Sequence, residues 1–306
     1  MSRVRMSAWS LVAAAACWGT ATAISKRAVE EIRPLTLLPI ELCVSIAVLL
    51  AASAVGGDRS LPSKHRRQLG WLGALNPGVS YALSLAGLSR ITASTSALLW
   101  ATEPLLILLL AWVLLRQRPT KVVGVCAGCA LAGVVLVVAQ PDVRASTTGV
   151  LLTIAGVAAC AVYTVISSRY LADESTLGVV LIQQASALAF AVLLLAVAIS
   201  LGYGVALRGV SLAGWASALV AGALYYGVAF WFYLRGLRTC SPAVAGLFIN
   251  LVPVFGVGSA ALLLGERLAG HQWIGVAVTL GAITALAWSQ TRRADEDDDS
   301  SARTMT

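Results

Sequence analysis

The strongest constraint on this chain is a succession of ten apolar runs, at about 7–27, 34–55, 68–89, 92–115, 121–139, 147–169, 176–200, 211–235, 240–264 and 271–290. A helix crossing a bilayer takes about 20 residues, rising about 1.5 Å at each. These runs have that length. Each is apolar around its circumference, without the alternation over about ten residues that a membrane barrel strand needs. The fold expected is an all-α membrane protein of ten transmembrane helices. Composition agrees, with 58% of the 306 residues apolar and 12% charged, about half the charge of a soluble domain. A water-facing surface cannot be built from that, and disorder, collagen and a disulfide-stapled secreted domain are excluded with it.

The net charge of +8 marks loops, not a nucleic-acid partner. Turns fall at Arg33-Pro34, Gly56-Gly57-Asp58-Arg59, Arg118-Pro119 and Gln140-Pro141-Asp142. With ten spans both termini share a side, which then holds fifteen of the Lys and Arg against seven opposite. By the positive-inside rule both termini are expected in the cytoplasm, with the protein in the inner or plasma membrane. Arg3, Arg5 and the small residues Ala21-Thr22-Ala23 also fit a cleaved signal peptide; a retained helix is expected, because the first span has a copy later in the chain. The run Asp295-Glu296-Asp297-Asp298-Asp299 makes 291–306 a disordered acidic cytoplasmic tail.

That copy is part of a repeat. The stretch opening Ala15-Ala16-Cys17 matches the one opening Ala158-Ala159-Cys160, Glu41 falls opposite Gln183, Gly87-Leu88 matches Gly236-Leu237, and Pro104 matches Pro253. Residues 8–139 and 148–288 thus form two five-helix units. An odd number of spans inverts the second copy in the membrane. Inverted repeats place the site of many secondary transporters near the midplane, at the repeat interface.

Several groups are candidates for the work. Glu103 stands thirteen residues from both Arg90 and Arg116, roughly 20 Å from either charge. A carboxylate at the bilayer centre costs about 2.5–3.5 kcal/mol, and protonating a Glu at pH 7 costs about 3.7 kcal/mol. The near match makes a switch between charged and neutral forms available, as a proton-coupled carrier needs; a purely structural Glu, held by an Arg or by backbone groups, is the alternative. Trp100 and Ser96 share its helical face. Pro104 and Pro253 break the fourth and ninth spans, freeing the carbonyls of Trp100 and Ile249. Asn250 beside the second break meets either substrate or a neighbouring helix. Glu41, about 12 Å into its span, is either a second coupling group or a snorkelling one. Trp18, Asn76, Tyr81, Gln183, Gln184, Tyr225, Tyr226 and Trp231 line a path or form interface belts. Gly124 and Gly128 form GxxxG, which permits close helix packing.

Other chemistry has little support. Cys126 and Cys129 have CxxC spacing inside an apolar run without a nearby His, and His65 and His271 both fall in loops without a metal-site partner, so no metal or other cofactor is expected. There is no phosphate-cradling GxxxxGK[ST].

Trp18-Gly19, Glu103-Pro104-Leu105, Pro253-Val254, Leu264-Gly265-Glu266-Arg267-Leu268 and Gln272-Trp273-Ile274-Gly275 together resemble the EamA-type carriers of the drug/metabolite transporter superfamily. The resemblance implies ten helices in two inverted repeats and movement of small metabolites by alternating access. The chain departs from it at Arg116-Gln117-Arg118, where the second half has Gly265-Glu266-Arg267. A non-enzymatic secondary carrier is expected, monomeric or homodimeric, exporting a small molecule with proton or ion coupling. Its aromatic residues suit amino acids or organic cations. A membrane-embedded lipid-headgroup enzyme and a passive channel are the alternatives.

Overall fold

A computed structural model describes residues 3–56, 65–103, 105–106, 110, 121–138, 146–167, 170, 176–237, 251–282 and 284–285. Among these the regular structure is helical. Helices α1 (Arg3–Glu31) and α2 (Pro34–Gly56) are joined by a tight corner at Arg33, where Pro34 is well placed because a first helical residue needs no N–H. Helix α3 runs through three segments, Arg66–Gly73, Ala74–Val79 and Ser80–Leu88, and α4 begins with Ala93–Trp100. Then come α5 (Lys121–Val138), α6 (Thr147–Ser167) and α7 (Thr176–Ser200). Helix α8 is again segmented, as Leu212–Gly222, Ala223–Val228 and Ala229–Leu237; α9 is Val252–Leu264, and α10 covers 270–282.

Among the described residues four helices are long and apolar enough to cross a bilayer alone: Pro34–Ala54, Thr147–Ser167, Leu177–Ser200 and Leu212–Tyr233. The exterior is apolar as well, with Leu262 87%, Leu212 86% and Trp71 71% exposed. Apolar exposure on that scale marks a surface that meets lipid.

The two halves interleave. Helix α1 packs mainly on α9 and α8, α2 on α7 and α8, and α3 on α6 and α7. The largest buried cluster accordingly draws Ile32 from α1, Leu38 and Leu42 from α2, Leu85 from α3, Ala187 from α7 and Tyr226 from α8. Lipid gives helices no hydrophobic reason to associate, so close approach depends on small residues. A Cβ on Gly73 would lie 2.3 Å from the Gln183 carbonyl oxygen, and one on Gly222 2.7 Å from that of Glu41. Gly133 meets Gly275 and Thr279 in the same way. Among the described residues the GxxxG pair Gly124 and Gly128 has no packing partner: both are exposed, with nothing described within 4 Å of an added Cβ.

Both third helices break at matching places. The register that pairs Gly87-Leu88 with Gly236-Leu237 also pairs the π-helical stretch Ala74–Val79 with Ala223–Val228. In α3 the break has a local cause, since Pro77 lacks an N–H and Asn76 leaves helical geometry at φ −141°, ψ 119° before a cis peptide bond. In α8 no proline is present. There the interruption exposes carbonyls that side chains fill: the Trp18 indole N–H donates to the Tyr225 carbonyl at 2.9 Å, and the Gln184 amide donates to that of Tyr226 at 2.9 Å.

Candidate functional site

The two repeats enclose a cavity beside the α8 break. Helix α1 supplies Thr22 and Ser25, three residues apart and so on one face, and α2 supplies Glu41. Helix α3 contributes Tyr81, Ser84, Leu85 and Leu88 beyond its own break, α4 contributes Ser96 and Trp100, and α8 contributes Tyr225 and Tyr226. About 20 Å³ remains in which the centre of a water-sized molecule can sit, and one water needs about 10–15 Å³ of such space. In this form the cavity has room for about one water and not for a metabolite.

Aromatic rings dominate its wall. Tyr81 lies at the centre, with ring centroids of Trp100 at 5.4 Å, Tyr225 at 5.2 Å edge-on and Tyr226 at 5.0 Å. Against them stands one carboxyl group. Glu41 is 1% exposed, and its Oε1 accepts a hydrogen bond from the Ser25 hydroxyl at 2.7 Å. A carboxylate offers about four lone-pair sites; among the described residues Ser25 is the hydrogen-bond donor to it. The snorkelling alternative is therefore excluded, because Glu41 is turned inward between α1 and α8.

Glu103 lies just outside this lining. Its Oε1 accepts from the Cys160 thiol at 3.3 Å and the Thr164 hydroxyl at 3.4 Å, both on α6, and it does not line the cavity. The shared face expected for Glu103, Trp100 and Ser96 is split. The reason is a tight turn at 101–102, where the Thr102 N–H donates to Leu99 instead of continuing the four-residue pattern. Trp100 and Ser96 reach the cavity, and Glu103 is rotated away.

The remaining candidates separate cleanly. Tyr81, Tyr225 and Tyr226 line the cavity. Trp18 and Gln184 serve the α8 backbone instead, with Trp18 packed edge-on against Phe230 at 5.4 Å. Gln183 accepts from the Tyr163 hydroxyl at 2.9 Å while its amide nitrogen lacks a partner among the described residues. Asn76 is 6% exposed in the α3 break, with Oδ1 unpaired. Trp231 is 41% exposed and stacks near Phe232, on the outer face and away from the cavity. Pro253 sits in the first turn of α9, so a helix starts there and the residue costs no hydrogen bond. Pro104 and Asn250 fall outside the described residues. Sequence reasoning misses Thr22, Ser25 and Ser84 as lining groups, although hydroxyls three residues apart in apolar spans are a usable signal.

Two carboxylates clasp the repeats together at one end. Glu266 accepts from the Ala93 and Ser94 N–H groups at 2.8 and 2.9 Å, at the buried start of α4. Glu31 accepts from the Ser211 N–H at 2.7 Å and hydroxyl at 2.8 Å, at the start of α8. Helix N-termini favour negative charge. The Ser211 backbone and hydroxyl donors hold the Glu31 carboxyl below its ordinary value. Nearby, the Lys26 ammonium donates to the Leu88 carbonyl at 3.1 Å.

A family model described as the EamA-like transporter family matches residues 5–139 and again 147–288. No curated protein matches the chain. A solved crystal structure at 19% identity aligns over 94% of this chain and 98% of its own with a TM-score of 0.66, which speaks for the fold alone. Two copies of one family unit, apolar bilayer-length helices and a cavity shared between the copies agree with one another: the chain is a multi-pass membrane protein and belongs to the EamA-like transporter family.

Proposed function

We propose that this protein is a secondary carrier that exports small polar metabolites by alternating access, with proton or ion coupling at buried carboxylates. The observation that carries the reading is the cavity between the repeats, too small for a metabolite, with Glu41 in its wall. A site too small for its cargo in one conformation must open in another, which is what a carrier does and a continuous pore does not. Ten spans in two inverted copies, with both termini cytoplasmic, complete the proposed architecture. On that orientation the Glu31 and Glu266 clasps lie at the outer face, so this conformation is closed outward. Glu41 is the proposed coupling group inside the cavity, and Glu103 a second one beside it on α4.

Counterflow in proteoliposomes tests the carrier reading. Labelled substrate should accumulate transiently against unlabelled substrate, drawn from a panel of amino acids and organic cations. Equilibration without overshoot for every compound that permeates would make the protein a pore. Topology is tested separately. A reporter active only in the cytoplasm should work when fused after Lys64 or Arg293 and fail after Arg144; the reverse pattern overturns the orientation.

A further inference from the structure

We propose that the Glu41 cavity binds a small organic ammonium ion, with the Glu41 carboxylate as its counter-ion and the Tyr81, Trp100 and Tyr225 rings as its wall. The inference rests on the carrier reading and names the class of its cargo.

Three observations converge. First, an ionised carboxylate that is 1% exposed needs a compensating positive charge, and the described surroundings do not provide one. Lys26, on α1, is engaged with the Leu88 carbonyl and with Glu30 at 3.7 Å. The titratable groups facing the cavity from α3 and α8 are the phenols Tyr81, Tyr225 and Tyr226, uncharged near neutral pH. Glu103 and Cys160 stand further back, on α4 and α6, and add no positive charge. Second, the wall is aromatic. Ring faces attract ammonium groups within about 6 Å of their centroids and recognise alkylated ones well, whereas a bare metal cation would need about six oxygens. Third, the Ser84 hydroxyl lines the cavity, is 6% exposed and has no hydrogen-bond partner among the described residues. That polar handle suits a cargo with a hydrogen-bonding group.

The small volume adds a consequence. Without cargo, no cation among the described residues pairs with Glu41, and a proton neutralises it. An ammonium ion and a proton therefore compete for one carboxylate. Binding is an exchange in which the protonated carboxyl and RNH3+ become the carboxylate–ammonium pair, and the proton leaves to water.

The test uses the purified full chain in detergent at near-neutral pH with weak buffering. The probes are benzylammonium, benzyltrimethylammonium and uncharged benzyl alcohol; binding is read by calorimetry and proton release by an indicator dye. Both cations should bind and release up to about one proton per chain, and benzyl alcohol should do neither. Glu41→Gln should abolish release and weaken cation binding by about tenfold or more, while Gly124→Ala, on an exposed face of α5, keeps both. In the unmodified protein the apparent Kd for benzyltrimethylammonium should rise as pH falls, a result that does not depend on any variant folding. Benzyl alcohol binding as tightly as the cations, undiminished release in a folded Glu41→Gln variant, or a pH-independent Kd would each overturn the proposal. Counterflow of an uncharged or zwitterionic substrate with no cation binding would reject this site and leave the carrier standing. Cation binding without counterflow of any compound would do the opposite.

Discussion

Glu41 and Gln183 hold corresponding positions on the second helix of each repeat, and their backbones make the same contact. Gly222 of α8 presses on Glu41, and Gly73 of α3 presses on Gln183, at matching places in the two copies. The side chains have opposite fates. Glu41 faces an aromatic cavity with Ser25 as its donor, and Gln183 is tied to the Tyr163 hydroxyl. The helix-packing plan was duplicated while the chemistry diverged. A symmetrical scaffold thus carries an asymmetrical site, with the acid on one side only.

Removing that asymmetry should have the largest effect. Glu41→Gln makes the two positions alike, and pH-gradient-driven flux in proteoliposomes should fall to background while exchange persists without pH dependence. Glu103→Gln should reduce driven flux less, because Glu103 lies outside the cavity; an intact Glu41→Gln flux with a dead Glu103→Gln variant would invert the ranking. Next comes the shared packing. An alanine at Gly73 or Gly222 forces a methyl against the neighbouring backbone, and overpacking costs about 1–3 kcal/mol. The detergent Tm should drop for both, more for Gly73 with its 2.3 Å approach, and hardly at all for Gly124→Ala. Equal tolerance at Gly73 and Gly124 would remove the idea of a duplicated contact. Smaller again is the clasp at α4. Glu266→Gln weakens two bonds at the start of a helix, an effect of about 0.5–2 kcal/mol on the scale of helix caps, read as a lower Tm or as easier outward opening.

The smallest effect is at Glu31, which is exposed to solvent. Its carboxyl is held below the ordinary value by Ser211. A lowered folded-state value means that the stabilisation is present above the ordinary carboxylate range and is lost as pH falls through it. Acidification below about 4.3 should loosen the α1–α8 contact, seen as faster hydrogen exchange near Ser211, and Glu31→Gln should erase that acid dependence. An unchanged acid response in the variant would assign it to another group.

Much of this was legible in the chain itself. Length and apolarity of the runs settled the membrane class, because no water-facing surface can be made from such a composition. The repeat was visible in Gly87-Leu88 against Gly236-Leu237 and in Glu41 against Gln183, since glycines at helix contacts and polar groups in lipid are expensive to move. The α3 break was written locally in Asn76-Pro77.

The α8 break was not. Ala223–Val228 contains no residue that forces an interruption, and it persists because Trp18 and Gln184, from α1 and α7, take up its carbonyls. The same limit applies to the acids. Sequence distance from the flanking arginines favoured Glu103, but one tight turn at 101–102 rotated it toward α6 and left Trp100 and Ser96 in the cavity. Composition and spacing determine which groups lie in the bilayer, because solvation free energy depends on depth and residue type alone. Which of them meet is decided by helix rotation and by donors from distant segments, so only the tertiary structure could put Glu41, with Ser25 and the tyrosines, in the wall of one cavity.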